Sequence, residues 1–302
     1  MTVALLFVDG LGWGSPDPAV NPCWSYGGAL LRWPELPTDG EPVPTPDGGW
    51  ATPLDACLGI DGLPQSATGQ TTLLTGVNAQ QVQGHHLSGF PGPTLRKVLL
   101  EHSILKQVRE AGLSGVFFNT FRSPFFDWPR ERQLRMSATT VANLAADNPF
   151  FDVPDMTAGR SLYQDFTGAE LESLGFDAPR LTPTEAGVLL ARNLGRHDFL
   201  LYEYFLTDKA GHSGDRARCE EQLAMYDEFL QAVLAGRPDD VLLVLCSDHG
   251  NIEDIAVTTH TRNPVPLVAW GPGAREFVTG KTGLDEVTPA IMDVLYGRAP
   301  SR

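Results

Sequence analysis

Residues 241–254 read VLLVLCSDHGNIED, an apolar run that passes directly into Asp248, His249 and Gly250. A continuous apolar run of this length is typical of a strand that is buried on both faces of a parallel sheet. A strand that ends in a carboxylate and an imidazole places two metal-ligating groups at the rim of that sheet. Adjacent ligands reach one site only if the backbone turns sharply, and we expect Gly250 to provide that freedom.

Three other segments of the chain supply matching groups. Asp9 lies in FVDGLG after an apolar start, Asp208 and His212 lie in LTDKAGH, and His260 lies in TTHTRNPVP. The four-residue spacing of Asp208 and His212 puts both side chains on one face of a helix. Taken singly, each residue is more simply a turn carboxylate or a hydrogen-bonded histidine. We interpret these four residues and the Asp-His pair at 248–249 as ligands for two divalent cations.

The order of apolar and amphipathic segments predicts an α/β fold with a mainly parallel sheet flanked by helices. Short apolar runs predict strands at Val3–Val8, Gly115–Phe118, Phe199–Phe205 and Val241–Cys246. A fifth run, Val265–Trp270, contains Pro266, so we expect an edge or irregular strand there. Helical periodicity covers Thr94–Ala111, Pro183–Leu194, Cys219–Leu234 and Glu286–Leu295.

Two stretches interrupt this alternation. Residues 15–53 are rich in Pro, Gly and Trp, and we expect them to form an ordered long loop over the sheet rim. Residues 122–182 carry dense aromatics and prolines, and we assign them to a small inserted cap. The predicted domains are therefore a metal-binding core of residues 1–121 and 183–302 and a cap of residues 122–182.

Composition limits the classes of partner. The 302 residues carry a net charge of −15 and a pI near 4.8, which argues against a nucleic-acid polymer as ligand. The four cysteines are widely spaced and resemble no disulfide framework, which favours a reducing compartment. The apolar start lacks a basic leader and no apolar run is long enough to span a bilayer. We expect a cytoplasmic protein without a membrane partner.

Between the first two ligand segments lies a hydroxyl-rich turn, LPQSATGQTTLLTG at residues 63–76. It offers Ser66, Thr68, Thr71 and Thr72 as groups that could sit between two metals. A nucleophilic hydroxyl beside paired cations is typical of phosphoryl transfer. For Thr71 and Thr72, helix packing is the simpler role.

The ordered set DGLG, QSATGQTTLLTG, TDKAGH, SDHGN and HTRNPVP resembles the alkaline phosphatase superfamily of metalloenzymes. SDHGN and HTRNPVP are most similar to cofactor-independent phosphoglycerate mutase, and phosphopentomutase is a more distant relative. The resemblance implies an alkaline-phosphatase-like core. It also implies one metal held by Asp208, His212 and His260, and a second held by Asp9, Asp248, His249 and the nucleophile.

The resemblance also selects the nucleophile. The mutase pattern Asn-Ser-x-x-Gly-His lies over residues 65–70 and selects Ser66, and counting back from Thr75-Gly76 in the nucleotide pyrophosphatase pattern reaches the same residue. Thr68 is the alternative. Ser66 would open a helix over Ala67–Val77, where free N–H groups and the helix dipole favour an anion. The mixed carboxylate and imidazole ligands suit Mn²⁺ or Zn²⁺ better than Ca²⁺ or Mg²⁺.

A phosphoserine can be resolved by water, as in a phosphatase, or by a second substrate hydroxyl, as in a mutase. The mutases that the motifs resemble carry a far larger insertion with an arginine-rich clamp, which the short middle segment here does not match. We therefore favour a phosphomonoesterase or phosphodiesterase acting on a small phosphorylated substrate. A small-cap phosphomutase is the alternative, and a non-catalytic binding protein is the third hypothesis. Arg122, Arg160 and Lys209 are candidate substrate contacts, although surface solvation is the simpler role of each.

Overall fold

The computed structural model describes residues 1–297, which are built around one seven-stranded sheet. In chain order its strands are β1 Thr2–Val8, β2 Val43–Pro44, β3 Trp50–Leu54, β4 Gly115–Phe117, β5 Phe199–Tyr204, β6 Val241–Cys246 and β7 Val265–Trp270. Across the sheet the order is β2-β3-β7-β6-β1-β5-β4. The four strands from β6 to β4 are parallel, whereas β7, β3 and β2 join by antiparallel pairing. The predicted α/β class is confirmed, and the remaining residues of the predicted core, 298–302, lie outside the described part.

The parallel centre follows from the apolar runs. Leu5 of β1 pairs with Leu201 of β5 on one side and with Val244 of β6 on the other, and all three are fully buried. A strand that is covered on both faces has no solvent face and needs no polar alternation. The continuous apolar runs therefore predicted β1, β4, β5 and β6 correctly, to within a residue at each end.

Strand β7 was expected to be an edge or irregular strand, but it lies inside the sheet between β6 and β3. Pro266 is opposite Pro53, and two residues without an N–H cannot form a hydrogen-bonded pair. The pairing of β7 with β6 begins only at Leu267, which is opposite Cys246, so no N–H is required of Pro266 on that side either. Proline is tolerated here because the register places it where no donor is required.

Helices cover both faces of the sheet and fill the connections between strands. They are α1 Ser66–Thr75, α2 Ala79–Gln83, α3 Pro93–His102, α4 Ile104–Glu110, α5 Ser123–Phe126, α6 Arg130–Gln133, α7 Ala138–Ala145, α8 Val153–Thr157, α9 Ala169–Ser173, α10 Pro183–Asn193, α11 Leu206–Ser213, α12 Arg216–Gly236, α13 Ala274–Val278 and α14 Val287–Leu295. Two 3-10 turns, Pro22–Trp24 and Leu284–Glu286, complete the set. None of the helices within residues 1–297 combines the length and the apolar content that crossing a bilayer requires.

The single helix expected over Thr94–Ala111 is two helices, α3 and α4. Ser103 separates them in an extended conformation, with φ −58° and ψ 142°, and its side chain accepts a hydrogen bond from Lys106 N. The Ser103 hydroxyl also donates to the carbonyl of Ala142. A serine that caps a new helix and bonds a neighbouring one overrides the amphipathic period around it.

The core has two halves that use alternate residues of the strands. Leu200, Tyr202 and Tyr204 of β5 face a cluster with α10 and α12, and Phe199 and Leu201 face a cluster with α1, α3, α4, α7 and α14. This side-to-side alternation is the ordinary period of a strand. The result is a three-layer arrangement that holds the carboxyl ends of the parallel strands at one rim.

The two interrupting stretches are more structured than their composition indicates. The expected long loop of residues 15–53 contains a 3-10 turn, β2 and most of β3. Strand β3 was not predicted because its partner, β7, lies far downstream in the sequence. Residues 122–182 form α5 to α9. All eight residues of α7 are buried, and its Ala138, Val141 and Ala142 join the core. Met156, Tyr163 and Leu171 form a small apolar cluster of their own.

Candidate metal centre

The carboxyl ends of β6, β1 and β5 are neighbours, and each delivers an aspartate to the same rim. Asp9 directly follows β1, Asp248 lies two residues beyond β6, and Asp208 lies in the first turn of α11 after β5. Asp9 and Asp248 are almost completely buried. Parallel neighbouring strands that end together explain why residues so distant in sequence meet in space.

The first cluster contains Asp9, Asp248, His249 and Ser66. Nε2 of His249 lies 3.3 Å from Asp9 Oδ1 and 3.4 Å from Asp248 Oδ2. The same nitrogen lies 3.0 Å from the hydroxyl oxygen of Ser66. One imidazole, two carboxylates and one hydroxyl therefore face a common point, in a part of the site where His249 and Asp248 are fully buried.

The second cluster contains Asp208, His212 and His260. Nε2 of His212 lies 3.4 Å from Asp208 Oδ2 and 3.2 Å from Nε2 of His260. Nε2 of His260 is 3.6 Å from Asp208 Oδ1. His212 is partly exposed and His260 is buried. The predicted turn of helix is present as α11, and it brings Asp208 and His212 together.

The two clusters adjoin through their histidine rings. His249 and His260 stack with ring centroids 3.7 Å apart, and ligand atoms of Asp208, His249 and His260 all lie within 4.8 Å of one another. Ligand atoms of Asp9, Asp248 and His249 meet the same limit. His249 thus lies between two adjacent groups of ligand atoms, an arrangement that suits a pair of cations.

Backbone carbonyls fix the orientation of the histidine rings. Nδ1 of His212 is 2.9 Å from the carbonyl of Thr258, and Nδ1 of His260 is 2.8 Å from the carbonyl of Pro64. When Nδ1–H donates to a carbonyl, the neutral ring presents the lone pair of Nε2 to the site. Two such lone pairs directed at each other lack a donor between them, and a cation would satisfy both.

The unpaired oxygens of the first cluster agree with this fit. Asp9 Oδ1 and Asp248 Oδ2 are buried and accept no hydrogen bond from any described residue. A metal bound at about 2.0–2.2 Å places tetrahedral ligand atoms roughly 3.3–3.6 Å apart, close to the separations found in both clusters. The donor set and its spacing therefore fit two divalent cations.

The acidity of these groups shows how much charge is concentrated there. Burial raises the pKa of Asp9 and raises that of Asp248 well above its usual range, and in Asp248 the neighbouring Asp9 adds to the rise. Burial alone would lower the pKa of His249, but the charges of Asp248 and Asp9 raise it to about 10. Burial and the nearby His249 lower the pKa of His260 to about 4. Buried carboxylates that repel one another in this way are stabilised by a bound cation.

Among the four candidate hydroxyls, only that of Ser66 reaches this centre. Ser66 is the first residue of α1, and Gln65 before it gives no side-chain cap. The hydroxyls of Thr68 and Thr71 donate to backbone carbonyls, and that of Thr72 donates to Gln80. Helix α1 begins where it was expected, at Ser66, and ends at Thr75, two residues before the expected end.

Two glycines permit the close packing of the loops, for a reason that differs from the expected one. Gly250 has no left-handed backbone, so it does not provide the sharp turn that the sequence indicated. A Cβ there would instead overlap Thr261 and Glu253. At Gly69 of α1, a Cβ would lie 2.5 Å from the backbone oxygen of Asp248. Both glycines allow backbone and side chains to approach within a distance that any other residue would prevent.

Three supporting residues escaped the sequence analysis. Gln70 donates to Asp9 Oδ2 at 2.9 Å, and the side chain of Asn251 donates to Asp208 Oδ1 at 2.7 Å. Glu253 accepts hydrogen bonds from the Gly12 amide at 2.9 Å and from the Asn251 amide at 2.7 Å. Asn251 and Glu253 follow the ligands Asp248 and His249 within a few residues. Their polar side chains beside these ligands were the signal in the sequence that could have identified them as supporting residues.

A cavity of about 660 Å³ opens beside the metal centre, and two of the three predicted substrate contacts line it. Ser66 and Asp208 lie on its wall, together with Arg122 and Lys209. Arg160 is not part of that wall. Its guanidinium instead pairs with Asp155, at 2.6 and 3.0 Å from Oδ1. This local pair holds the Arg160 side chain outside the lining of the cavity.

Comparison with known proteins places this geometry in a family context. The family model described as "Metalloenzyme superfamily" matches residues 183–297. The 2,3-bisphosphoglycerate-independent phosphoglycerate mutase of Desulforudis audaxviator is 33% identical over 131 residues, which cover 39% of this chain and 24% of that protein. The mutase of Methanococcus maripaludis is 30% identical over 121 residues, 35% of this chain and 29% of that protein. The matched part thus spans about a quarter of the length of these curated relatives.

Solved structures match nearly the whole chain. The cold-active alkaline phosphatase of Shewanella sp. aligns with a TM-score of 0.56 and 14% identity over 98% of this chain and 100% of that one. The alkaline phosphatase of the Antarctic bacterium TAB5 aligns with a TM-score of 0.51 and 13% identity, over 98% of each chain. At this identity the likeness establishes the fold. The chain therefore has an alkaline-phosphatase-like fold, matches the metalloenzyme superfamily model over residues 183–297, and is similar to cofactor-independent phosphoglycerate mutase over about two fifths of its length.

Proposed function

We propose that this protein is a metal-dependent phosphohydrolase, a phosphomonoesterase or phosphodiesterase that acts through a phosphoserine at Ser66. The observation that carries the proposal is the position of the Ser66 hydroxyl, 3.0 Å from His249 Nε2 and at the start of α1. The hydroxyl thereby faces the ligand atoms, and the positive end of the helix dipole lies beneath the incoming phosphate.

Two divalent cations would be held by the two clusters, one by Asp208, His212 and His260. The other would be held by Asp9, Asp248, His249 and Ser66. When bound, such ions lower the pKa of a coordinated hydroxyl and neutralise phosphate charge. The mixture of carboxylates and imidazoles supports Mn²⁺ or Zn²⁺ as the ions.

The protein groups divide the remaining work. Ser66 Oγ forms a bond to phosphorus while the ester oxygen leaves with the bond electrons and takes up a proton. Water then attacks phosphorus, the bond to Ser66 breaks, and the serine oxygen regains a proton as inorganic phosphate or a monoester departs. Gln70 and Asn251 hold Asp9 and Asp208 in place by the hydrogen bonds described above. Lys209 and Arg122, on the cavity wall, are the proposed substrate contacts.

A small-cap phosphomutase of the phosphoglycerate mutase or phosphopentomutase type is the second candidate. The sequence similarity to the phosphoglycerate mutases favours it. In that reaction a second hydroxyl of the substrate, rather than water, would receive the phosphoryl group from Ser66. Which acceptor prevails depends on how well the cavity excludes water.

The other parts of the proposal concern the setting of the site. Residues 122–182 are proposed as a small cap, because Arg122 and other residues of this segment line the cavity. A cytoplasmic location is proposed because all four cysteines are free thiols. The proposed partner is a small phosphorylated molecule rather than a nucleic-acid polymer, in keeping with the charge of −15.

A metal-supplemented substrate screen tests the proposed function. The purified chain, with Mn²⁺ or Zn²⁺ added, is incubated with p-nitrophenyl phosphate and with bis-p-nitrophenyl phosphate, and Ser66→Ala is the matched control. We expect hydrolysis by the native chain and loss of it in Ser66→Ala. If neither ester is cleaved while 3-phosphoglycerate or a pentose phosphate is isomerised, the mutase alternative replaces the hydrolase.

A further inference from the structure

The cavity beside Ser66 is larger and less polar than a site for a small, highly charged phosphate ester requires. Its volume of about 660 Å³ falls in the range of roughly 300–1,000 Å³ that is typical of sites for ligands of drug size. Ser66 and Asp208 lie on its wall, so a ligand that fills it has one end at the metal centre. The rest of the cavity must therefore surround the leaving group.

One side of this cavity is an aromatic wall, formed by Phe117, Phe121, Phe125 and Trp128. The ring centroids of Phe121 and Phe125 are 4.4 Å apart, and that of Trp128 is 5.9 Å from that of Phe125. Phe150 packs behind Phe121 and Phe125 at 4.7 and 4.8 Å. Rings supported in this way present a rigid apolar surface on which another ring can stack.

The cavity also contains a carboxylate that the proposed reaction does not use. Glu203 stands at the end of β5, where the strand period calls for an apolar core residue like Phe199 and Leu201. It is only 7% exposed, yet it lies on the cavity wall. Burying a carboxyl group is unfavourable unless it is hydrogen-bonded or paired with a charge. A buried glutamate on a cavity wall therefore indicates that the carboxyl group has a partner, either in the protein or in a ligand.

The hydrogen bonds of Glu203 leave one oxygen for a ligand. Thr139 donates to Oε2 at 2.6 Å, and the Asn119 side chain bonds both the amide and the carbonyl of Glu203, at 2.9 and 2.8 Å. Within residues 1–297, no donor reaches Oε1. The residue is therefore held firmly with one acceptor facing the cavity. Burial raises its pKa to about 7 despite the hydrogen bond from Thr139.

The charges on the cavity wall argue against a second anionic group on the ligand. Apart from the metal ligands, the wall carries two cations, Arg122 and Lys209, and two carboxylates, Glu170 and Glu203. A clamp for the carboxylate of a phosphoglycerate would need an excess of cations. The balance here suits a leaving group that is neutral or positively charged.

We propose, on the basis of the phosphohydrolase function above, that this cavity selects phosphate esters whose leaving group is an aromatic ring bearing a hydroxyl or amino donor. The ring packs on the aromatic wall, and the donor bonds Oε1 of Glu203. The phosphate end lies at Ser66. Glu203 thus determines specificity and takes no part in the transfer of the phosphoryl group.

Binding of stable phosphonate analogues tests this inference without requiring turnover. The Mn²⁺-loaded full chain is titrated calorimetrically with 3- and 4-(aminomethyl)benzylphosphonate, with the corresponding methylbenzylphosphonates, and with propylphosphonate. We expect at least one aminomethyl compound to bind about tenfold more tightly than its methyl counterpart, the effect of one added hydrogen bond to a buried acceptor. Propylphosphonate should bind about tenfold more weakly than the methylbenzyl compounds, since it lacks the ring.

Two variants at one position and a matched control make the test specific. Glu203→Gln and Glu203→Leu should both remove the preference for the aminomethyl group while leaving binding of the methyl compounds within about threefold. Glu172→Gln makes the same chemical change on an exposed residue outside the cavity and should leave the preference intact. Circular dichroism confirms that each variant is folded.

The results that would overturn the inference differ from those that would overturn the hydrolase. An aminomethyl preference that persists in folded Glu203→Leu, or that is absent from the native chain, refutes the role of Glu203. Tighter binding of 2-hydroxy-4-phosphonobutanoate, the analogue of 3-phosphoglycerate, refutes the aromatic leaving group. Failure to hydrolyse any aryl phosphate, with the binding preference present, refutes only the proposed hydrolysis.

Discussion

Replacing Glu253 should loosen the metal centre although this residue does not belong to either ligand cluster. Its side chain is 1% exposed and lies between three loops. Oε2 accepts from the amides of Gly12 and Asn251, and Oε1 accepts from the Thr261 hydroxyl and, at 3.1 Å, from the Asn263 side chain. These donors come from the segments that carry Asp9, the Asp248–His249 pair and His260, so one carboxylate connects them all.

The size of the effect follows from which donors can adapt. In Glu253→Leu, the amides of Gly12 and Asn251 lose their acceptor and cannot turn elsewhere. Each buried amide left unpaired costs about 1–3 kcal/mol, so the free energy of unfolding should fall by roughly 2–6 kcal/mol. In Glu253→Gln, the amide oxygen can keep those two donors while the Thr261 hydroxyl rotates and the Asn263 amide flips to accept. That variant should lose only on the order of 1–3 kcal/mol, the difference between charged and neutral acceptors.

Urea unfolding and metal analysis together measure the effect. We expect Glu253→Leu to bind less metal and to unfold at lower urea, Glu253→Gln to fall between it and the native chain, and the exposed Glu276→Gln to match the native chain. The comparison is made with and without added Mn²⁺, because a bound ion adds stability to the folded state alone. Native metal content in Glu253→Leu, with unfolding within about 1 kcal/mol of the native value, would refute the reasoning.

Three further predictions follow from the site. Asp208→Ala should lose one of the two metal ions and more than about 100-fold of its esterase activity, since even outer-shell changes cost about 10–100-fold; unchanged metal content by mass spectrometry would contradict this. Gly69→Ala should lower the free energy of unfolding by about 1–3 kcal/mol, because the new Cβ meets the backbone oxygen of Asp248; an unchanged urea midpoint would count against it. For Glu203, the folded pKa of about 7 lies above the unfolded value of 4.5, so the folded state binds the extra proton and stability declines as pH rises between these values. The free energy of unfolding of the metal-free native protein should thus fall by roughly 3 kcal/mol over that range relative to Glu203→Gln. Parallel pH profiles of the two proteins in urea unfolding would contradict this dependence.

Much of the centre was predictable because its ligands follow strands directly. Asp9 comes directly after an apolar run and Asp248 two residues after another, and such runs identify buried parallel strands without reference to any partner. The spacing of Asp208 and His212 is likewise a local property of one helical turn. These parts of the site depend on patterns within a few residues, so they could be predicted from the sequence.

Other parts depended on contacts that no local pattern contains. Strand β7 was expected to be an edge or irregular strand because Pro266 lacks a donor, yet its register against Pro53 removes the need for one. Ser103 interrupts an amphipathic period because Ala142, from another helix, accepts its hydroxyl. Arg160 was a candidate substrate contact with surface solvation as its simpler role, and its pairing with Asp155 became visible only in three dimensions.

The sequence by itself determined the α/β class, the parallel centre of the sheet and the residue types that surround the two clusters. Apolar runs and the polar ligands next to them are patterns of a few residues. The free energy of burying the apolar side chains favours a buried strand at each run, whichever strands become its neighbours. Only the tertiary structure decided the antiparallel edge, the contact of Ser66 with His249, and the surroundings of Glu253 and Glu203. Each of these depends on which distant backbone donor, ring or cavity lies opposite a side chain, and such pairings arise only when the whole core is packed.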